Sequence, residues 1–121
     1  MEATAHAEVR SGALRLRASQ LGSTCTIALF GELDLANAEA FQTMLRESRT
    51  GGATAVVVDL EALEFIDSSG IACLIHAHRE LKEAGSCLRI AGAHAPGVRR
   101  VIEVTGLDEE LVFIADGIPP A

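Results

Sequence analysis

Tryptophan and tyrosine are missing from this 121-residue chain, and phenylalanine occurs only four times. A core has to be assembled from Ala, Val, Leu and Ile, and the 49% of apolar residues is a globular composition, not a disordered one. Cysteine is scarce as well: Cys25, Cys73 and Cys87 are an odd number at wide spacing, with no CxxC. That argues against a disulfide framework and against structural zinc, so a reduced, cytoplasmic compartment is expected. No apolar run approaches the roughly 20 residues of a membrane span, so membrane insertion is not expected. Residues 1–7 lack the basic and apolar regions of a signal peptide. Cations are few: 10 against 17 carboxylates give a net charge of −7, and the only run is Arg99-Arg100. Without a basic cluster or aromatics to stack on, nucleic-acid binding is not expected. An acidic surface points instead to a protein partner with a basic face.

What is present is a regular alternation of elements. Residues 1–12 read as a flexible, polar lead-in, and 13–121 as one domain. Leu14, Leu16 and Ala18 alternate with Arg15 and Arg17, the period of a half-buried strand. After the turn Gln20-Leu21-Gly22-Ser23, Cys25, Ile27 and Leu29 give a second strand and a hairpin. Asn37 is placed to cap a helix with Phe41, Met44, Leu45 and Ser48 on one face, ended by Gly51-Gly52. Val56 to Leu60 is a strand apolar on both faces, so the helix makes a βαβ crossover between parallel strands. A second helix is predicted from about Ser69 to Glu83, a strand over 87–91, a third helix from Pro96, and a short strand over 111–114. The fold class is α/β: a mixed four- to five-stranded sheet with about three helices.

The most informative stretch is Glu64-Phe65-Ile66-Asp67-Ser68-Ser69-Gly70, at the start of the second helix. The first four N–H groups of a helix lack partners and the dipole is positive there. Asp67 and the two hydroxyls suit that position as caps, and a phosphate on one hydroxyl would meet the same free N–H groups. Rival chemistry is poorly served. Asp-Ser-Ser-Gly is not the G-x-S-x-G elbow of a serine hydrolase, and His76 and His78 are not aimed back at Ser68. Cys73 and His76 have i, i+3 spacing but no third metal ligand. His78 reads as a hydrogen-bonded core histidine. No P-loop or G-x-G-x-x-G occurs, so no bound nucleotide is expected. No catalytic, cofactor-binding or metal-ligating residue is therefore expected.

The outer face of the second helix carries Ser69, Ala72, Cys73 and His76, with charge only from Glu80 onward. Two readings are open: another segment of the chain covers this face, or it is a docking surface beside Ser68. Cys25 and Cys87 are expected to act as small apolar strand residues, and Cys73 to be the one reactive thiol.

Taken together, Gly31-Glu32-Leu33-Asp34, Val56-Val57-Val58-Asp59-Leu60, Leu63 through Ile71 and Val104-Thr105-Gly106-Leu107 resemble the anti-sigma factor antagonist family, the STAS domain. The resemblance covers about residues 13–114. It implies a non-catalytic switch rather than an enzyme. The unphosphorylated protein binds an anti-sigma factor that is itself a serine kinase, which frees the sigma factor. Phosphorylation of the serine after the motif aspartate, here Ser68, ends binding, and a phosphatase resets the switch. Asp34 carries over as an acidic group near the site and Asp67 as the preceding residue. Ser69, Gly70, Ala72, Cys73 and His76 complete the expected partner-binding surface.

Two further expectations follow. Asp34 and Ser68 belong at the same end of the sheet, because both follow carboxyl ends of parallel neighbouring strands. The ending Phe113 to Ala121 departs from the family by lacking, or reducing to a turn, its usual last helix, which leaves room for weak self-association or for the N-terminal segment to fold over the gap. An accessory subunit of a lipid-transport ATPase, working without phosphorylation, is the alternative role that the same fold supplies.

Overall fold

The computed structural model describes residues 5–106 and 112–114. The expectation about the last helix lies outside these residues. Seven strands and three helices are found among the described residues: β1 (Ala5–Ser11), β2 (Leu14–Leu21), β3 (Thr24–Leu33), α1 (Ala38–Thr50), β4 (Ala55–Asp59), β5 (Leu63–Ile66), α2 (Ser68–Glu83), β6 (Cys87–Ala91), α3 (Pro96–Val104) and β7 (Val112–Ile114). They form one mixed sheet in the order β1-β2-β3-β4-β6-β7, with β5 pairing the far end of β3. The first three strands are antiparallel neighbours, and every later pairing is parallel.

The α/β class, the β2–β3 hairpin and the crossovers agree with the sequence, but the strand number exceeds the expected four to five. One added strand is β1, in place of the expected flexible lead-in. Its register sets Glu8 opposite Arg17 and Val9 opposite Leu16. It is held by a full antiparallel ladder and by cross-strand pairs such as Arg15 with Glu8 at 3.9 Å, while Ala7 and Val9 of its apolar alternation stay exposed. The other added strand, β5, is four residues long with only Leu63 and Ile66 buried. It pairs with β3 beyond a register shift between Gly31 and Glu32. Gly31 has φ of +98°, and a Cβ there would overlap the Ala13 carbonyl oxygen, so only glycine lets β3 turn at this point.

The core is aliphatic. Leu14, Leu16, Ile27, Leu29, Val56 and Val58 of the sheet meet Phe41, Met44 and Leu45 of α1 and Ile71, Leu74 and Leu81 of α2. Val98 and Ile102 of α3 join the same cluster. Burying a Leu, Ile or Phe side chain contributes about 1.5–3 kcal/mol, so the interdigitated faces of sheet and helices, and not the scarce polar contacts inside, hold the fold. Val57 is also buried, which makes β4 apolar on both faces as its sequence predicts. No helix among the described residues is long and apolar enough to cross a membrane.

Candidate functional site

The carboxyl ends of β3 and β5 lie side by side, and two short segments leave them together. From β3 the chain turns through Asp34, Leu35 and Ala36 into α1. Asn37, only 1% exposed, holds this turn. Its Oδ1 accepts the Asp34 N–H at 2.9 Å and its Nδ2 donates to the Glu32 carbonyl at 2.9 Å. Asn37 does stand at the N-cap position of α1, but its side chain makes no capping hydrogen bond, because both of its polar atoms are used backwards on the turn. Asp34 Oδ1 accepts the Ala36 N–H at 3.0 Å, closing a second small ring in the same loop.

From β5 the chain passes through Asp67 into α2. Asp67 Oδ1 accepts from the N–H groups of Ser69 at 2.9 Å and Gly70 at 3.1 Å, a direct N-cap. Its Oδ2 accepts the Leu35 N–H at 3.2 Å, and its own N–H donates to the Leu33 carbonyl at 3.1 Å. One residue therefore ties the start of α2, the end of β3 and the Asp34 turn together. Asp34 and Ser68 lie at the same end of the sheet, as their strand positions require.

Ser68, the first residue of α2, is exposed. The expected supply of free N–H groups for a phosphate beside it is largely absent. Those of Ser69 and Gly70 are taken by Asp67 Oδ1, and that of Ile71 donates to the Asp67 carbonyl at 3.0 Å. A phosphoryl group on Ser68 would thus find few free amides at the helix end.

The remaining predicted residues divide. Ser69 is half-buried and Ala72 and His76 are exposed. Gly70 is buried beneath the site: a Cβ would come within 2.7 Å of Ile66 Cγ1 and 2.8 Å of Leu33, so its absent side chain is what lets α2 approach the sheet. It presents no side chain to a partner. Cys73 is half-buried, packs against the core and donates from Sγ to the Ala38 carbonyl of α1 at 3.6 Å. Burial first, and the Asp67 charge second, push its thiol pKa up. It is neither outward-facing nor activated, which corrects the expectation of a reactive cysteine. Cys25 is buried in β3 with its pKa likewise raised by burial, partly offset by a hydrogen bond with Ser48.

Of the two readings of the outer face of α2, coverage by α1 accounts for its Cys73 side. Farther along, Glu80 lies 3.4 Å from His76 Nε2 and 3.8 Å from Arg49 of α1. The Ser68 and Ala72 side stays open. His78 is half-buried, but its Nδ1 is buried with no hydrogen-bond partner, unlike the satisfied histidine that the sequence leads one to expect. Among the described residues, no group of three or more His, Cys, Asp or Glu side chains is gathered that could hold a metal ion.

Two residues missed in the sequence flank the site. Leu35 is 78% exposed and Phe65 is 46% exposed, and both belong to the segments joined by Asp67. A turn sequence gives Leu35 no reason to be apolar, and that was the available signal.

Residues 16–114 match the family model described as "Mlab, STAS domain". The chain belongs to the STAS domain family. Among relatives, this STAS domain is 35% identical over 85 residues to the anti-sigma F factor antagonist of Lysinibacillus sphaericus, covering 69% of this chain and 72% of that protein. The crystal structure of an anti-sigma factor antagonist from Mycobacterium paratuberculosis superposes with a TM-score of 0.74 at 22% identity, over 95% of this chain and 91% of that one, and shows the shared fold. The unphosphorylated form of the anti-sigma factor antagonist SpoIIAA gives 0.71 at 27% identity, covering 83% and 88%. The phosphorylated form of SpoIIAA, the Bacillus cell fate determinant, gives 0.62 at 26%, covering 85% and 92%.

Proposed function

We propose that this STAS domain is an anti-sigma factor antagonist, a binding protein and not an enzyme. Unphosphorylated, it docks an anti-sigma factor kinase over the Ser68 end of the sheet. Phosphorylation of Ser68 releases the partner, and a phosphatase restores binding. The observation that carries this reading is an exposed hydroxyl at Ser68 on a backbone fixed by the three hydrogen bonds of the Asp67 carboxylate. A kinase needs an accessible hydroxyl, and a docking partner favours a surface that does not have to be ordered on binding. The relatives named above, one of them known in both phosphorylation states, support the same reading.

Leu35 and Phe65 supply apolar anchors, Ala72 and His76 extend the surface along α2, and Asp34, Asp67 and Ser69 border the hydroxyl. A phosphoryl group adds about −1.5 to −2 charge. It lies beside Asp67, and the helix amides that would neutralise it are already engaged. A partner covering it must desolvate that charge. A loss of about 3 kcal/mol weakens binding more than 100-fold.

The test uses the anti-sigma factor kinase co-purified from the native cell, with ATP. Ser68→Ala keeps binding and resists phosphorylation. Ser68→Asp binds weakly, and Ser69→Ala is still phosphorylated. Phosphate on Ser69 would move the site. Undiminished binding by the phosphorylated protein would overturn the switch and favour the accessory role, in which no modification of Ser68 is needed.

A further inference from the structure

The sheet face turned away from the Leu14–Leu16 core side gathers cations that the linear sequence keeps apart. Along β2, Leu14 and Leu16 are buried, so Arg15 and Arg17 point the other way, Arg15 opposite Phe30 of β3 and Arg17 opposite Ala28. The β1–β2 register sets Arg10 directly opposite Arg15 and Glu8 opposite Arg17. The Arg15 guanidinium lies 4.3 Å above the Phe30 ring and 3.9 Å from Glu8. Arg10 and Arg17 form no ion pair among the described residues. A shallow hollow of about 240 Å³ opens between Arg10, Arg15, Phe30 and the backbone of Gly12 and Gly31. This corrects the expectation that no cation cluster or stacking aromatic exists.

Charges on an edge strand guard against unwanted pairing, and Glu8 and Arg10 of β1 both serve that purpose. That role does not require Arg10 to face Arg15, and like charges directly opposite are destabilising. Yet three of the chain's ten cations meet here in a molecule of net charge −7. An anion between the two guanidinium groups removes the repulsion. We propose that the Arg10–Arg15–Arg17 corner is a second docking surface, for a carboxylate-rich segment of a protein partner, separate from the Ser68 surface. Arginine forks match carboxylates in pairs, and Arg15 is already held in place by Phe30. A nucleic acid fits less well, because its repeated phosphates would run on across an otherwise acidic surface.

The test is titration of the 121-residue protein with a fluorescent oligoglutamate peptide, with backbone amide shifts recorded by NMR. The expected result is saturable binding, weakened by salt, with shifts centred on residues 8–17 and 28–31. Arg10→Gln weakens it about tenfold and Glu8→Gln strengthens it, while Arg46→Gln changes nothing. Should Arg15→Gln loosen the hairpin, Arg15→Lys keeps the charge and removes the fork, and binding must still fall. Shifts centred elsewhere, indifference to Arg10→Gln, or tighter binding of an oligonucleotide of equal charge would each overturn the proposal.

Discussion

The Asp67 carboxylate accepts the Leu35 backbone N–H at 3.2 Å, across 32 positions of sequence. Through that contact a helix cap also becomes a clamp between two loops. Its other oxygen is committed to the Ser69 and Gly70 amides, so the side chain has no freedom to serve one role without the other.

Replacing Asp67 therefore has two measurable effects. Asp67→Ala loses the cap and lowers stability by about 2 kcal/mol in chemical denaturation. Hydrogen exchange also accelerates at Leu35, Ser69 and Gly70 together. Acceleration at Ser69 and Gly70 alone would mean that the Leu35 contact does not hold the Asp34 turn.

Gly70→Ala tests the close approach of α2 to the sheet. The new methyl meets Ile66 and Leu33 at under 3 Å, and overpacking of this kind costs about 1–3 kcal/mol. A thermal melt unchanged from the parent protein would show that α2 can shift outward without penalty.

The Cys73 thiol stays protonated at neutral pH, because burial and the Asp67 charge both raise its pKa. Thiol alkylation of native protein at Cys73 is accordingly slow and rises only in the alkaline range. Removing the nearby charge with Asp67→Asn lowers the pKa, so the pH–rate profile moves toward neutrality. Alkylation at Cys73 as fast as that of the unfolded chain would contradict its placement against Ala38.

Leu35→Ala separates docking from stability. An exposed side chain contributes little to folding, so the change in unfolding free energy stays within about 0.5 kcal/mol. Affinity for the anti-sigma partner falls about tenfold or more if Leu35 is an anchor. Equal affinity, measured calorimetrically, would remove Leu35 from the interface.

Much of this architecture is legible in the order of residues, for identifiable reasons. Val56 to Val58 and the Leu14–Leu16 alternation declare strands because their apolar periods match the faces they bury. Asp67 is recognisable as a cap from its position before an amphipathic helix. β1 is weakly marked: Ala5, Ala7 and Val9 alternate with His6, Glu8 and Arg10, but two of the three apolar residues are alanine and Val9 stays 40% exposed, so the strand gains its structure mainly from a ladder with β2. β5 fails for a related reason: in four residues with only the two ends buried, no alternation can be seen. Asn37 has the right residue type for a cap, but its partners lie behind it. The inward turn of Cys73 depends on where α1 lies, which a helical wheel does not contain. The arginine corner is spread over positions 10, 15 and 17 until the hairpin register folds it together.

The short strand β5 gives the Ser68 surface a mechanical character. Leu63–Ile66 is laid against the end of β3 immediately before Asp67, so the first turn of α2, which carries the serine, is anchored to the sheet through β5 on one side and continues into the helix on the other. A surface held on both sides has little ordering entropy left to lose when something docks on it. If the proposed switch operates there, substitutions that remove contacts without changing charge act mainly on the residence time of the complex. The charge of a phosphoryl group would act on the rate of encounter as well.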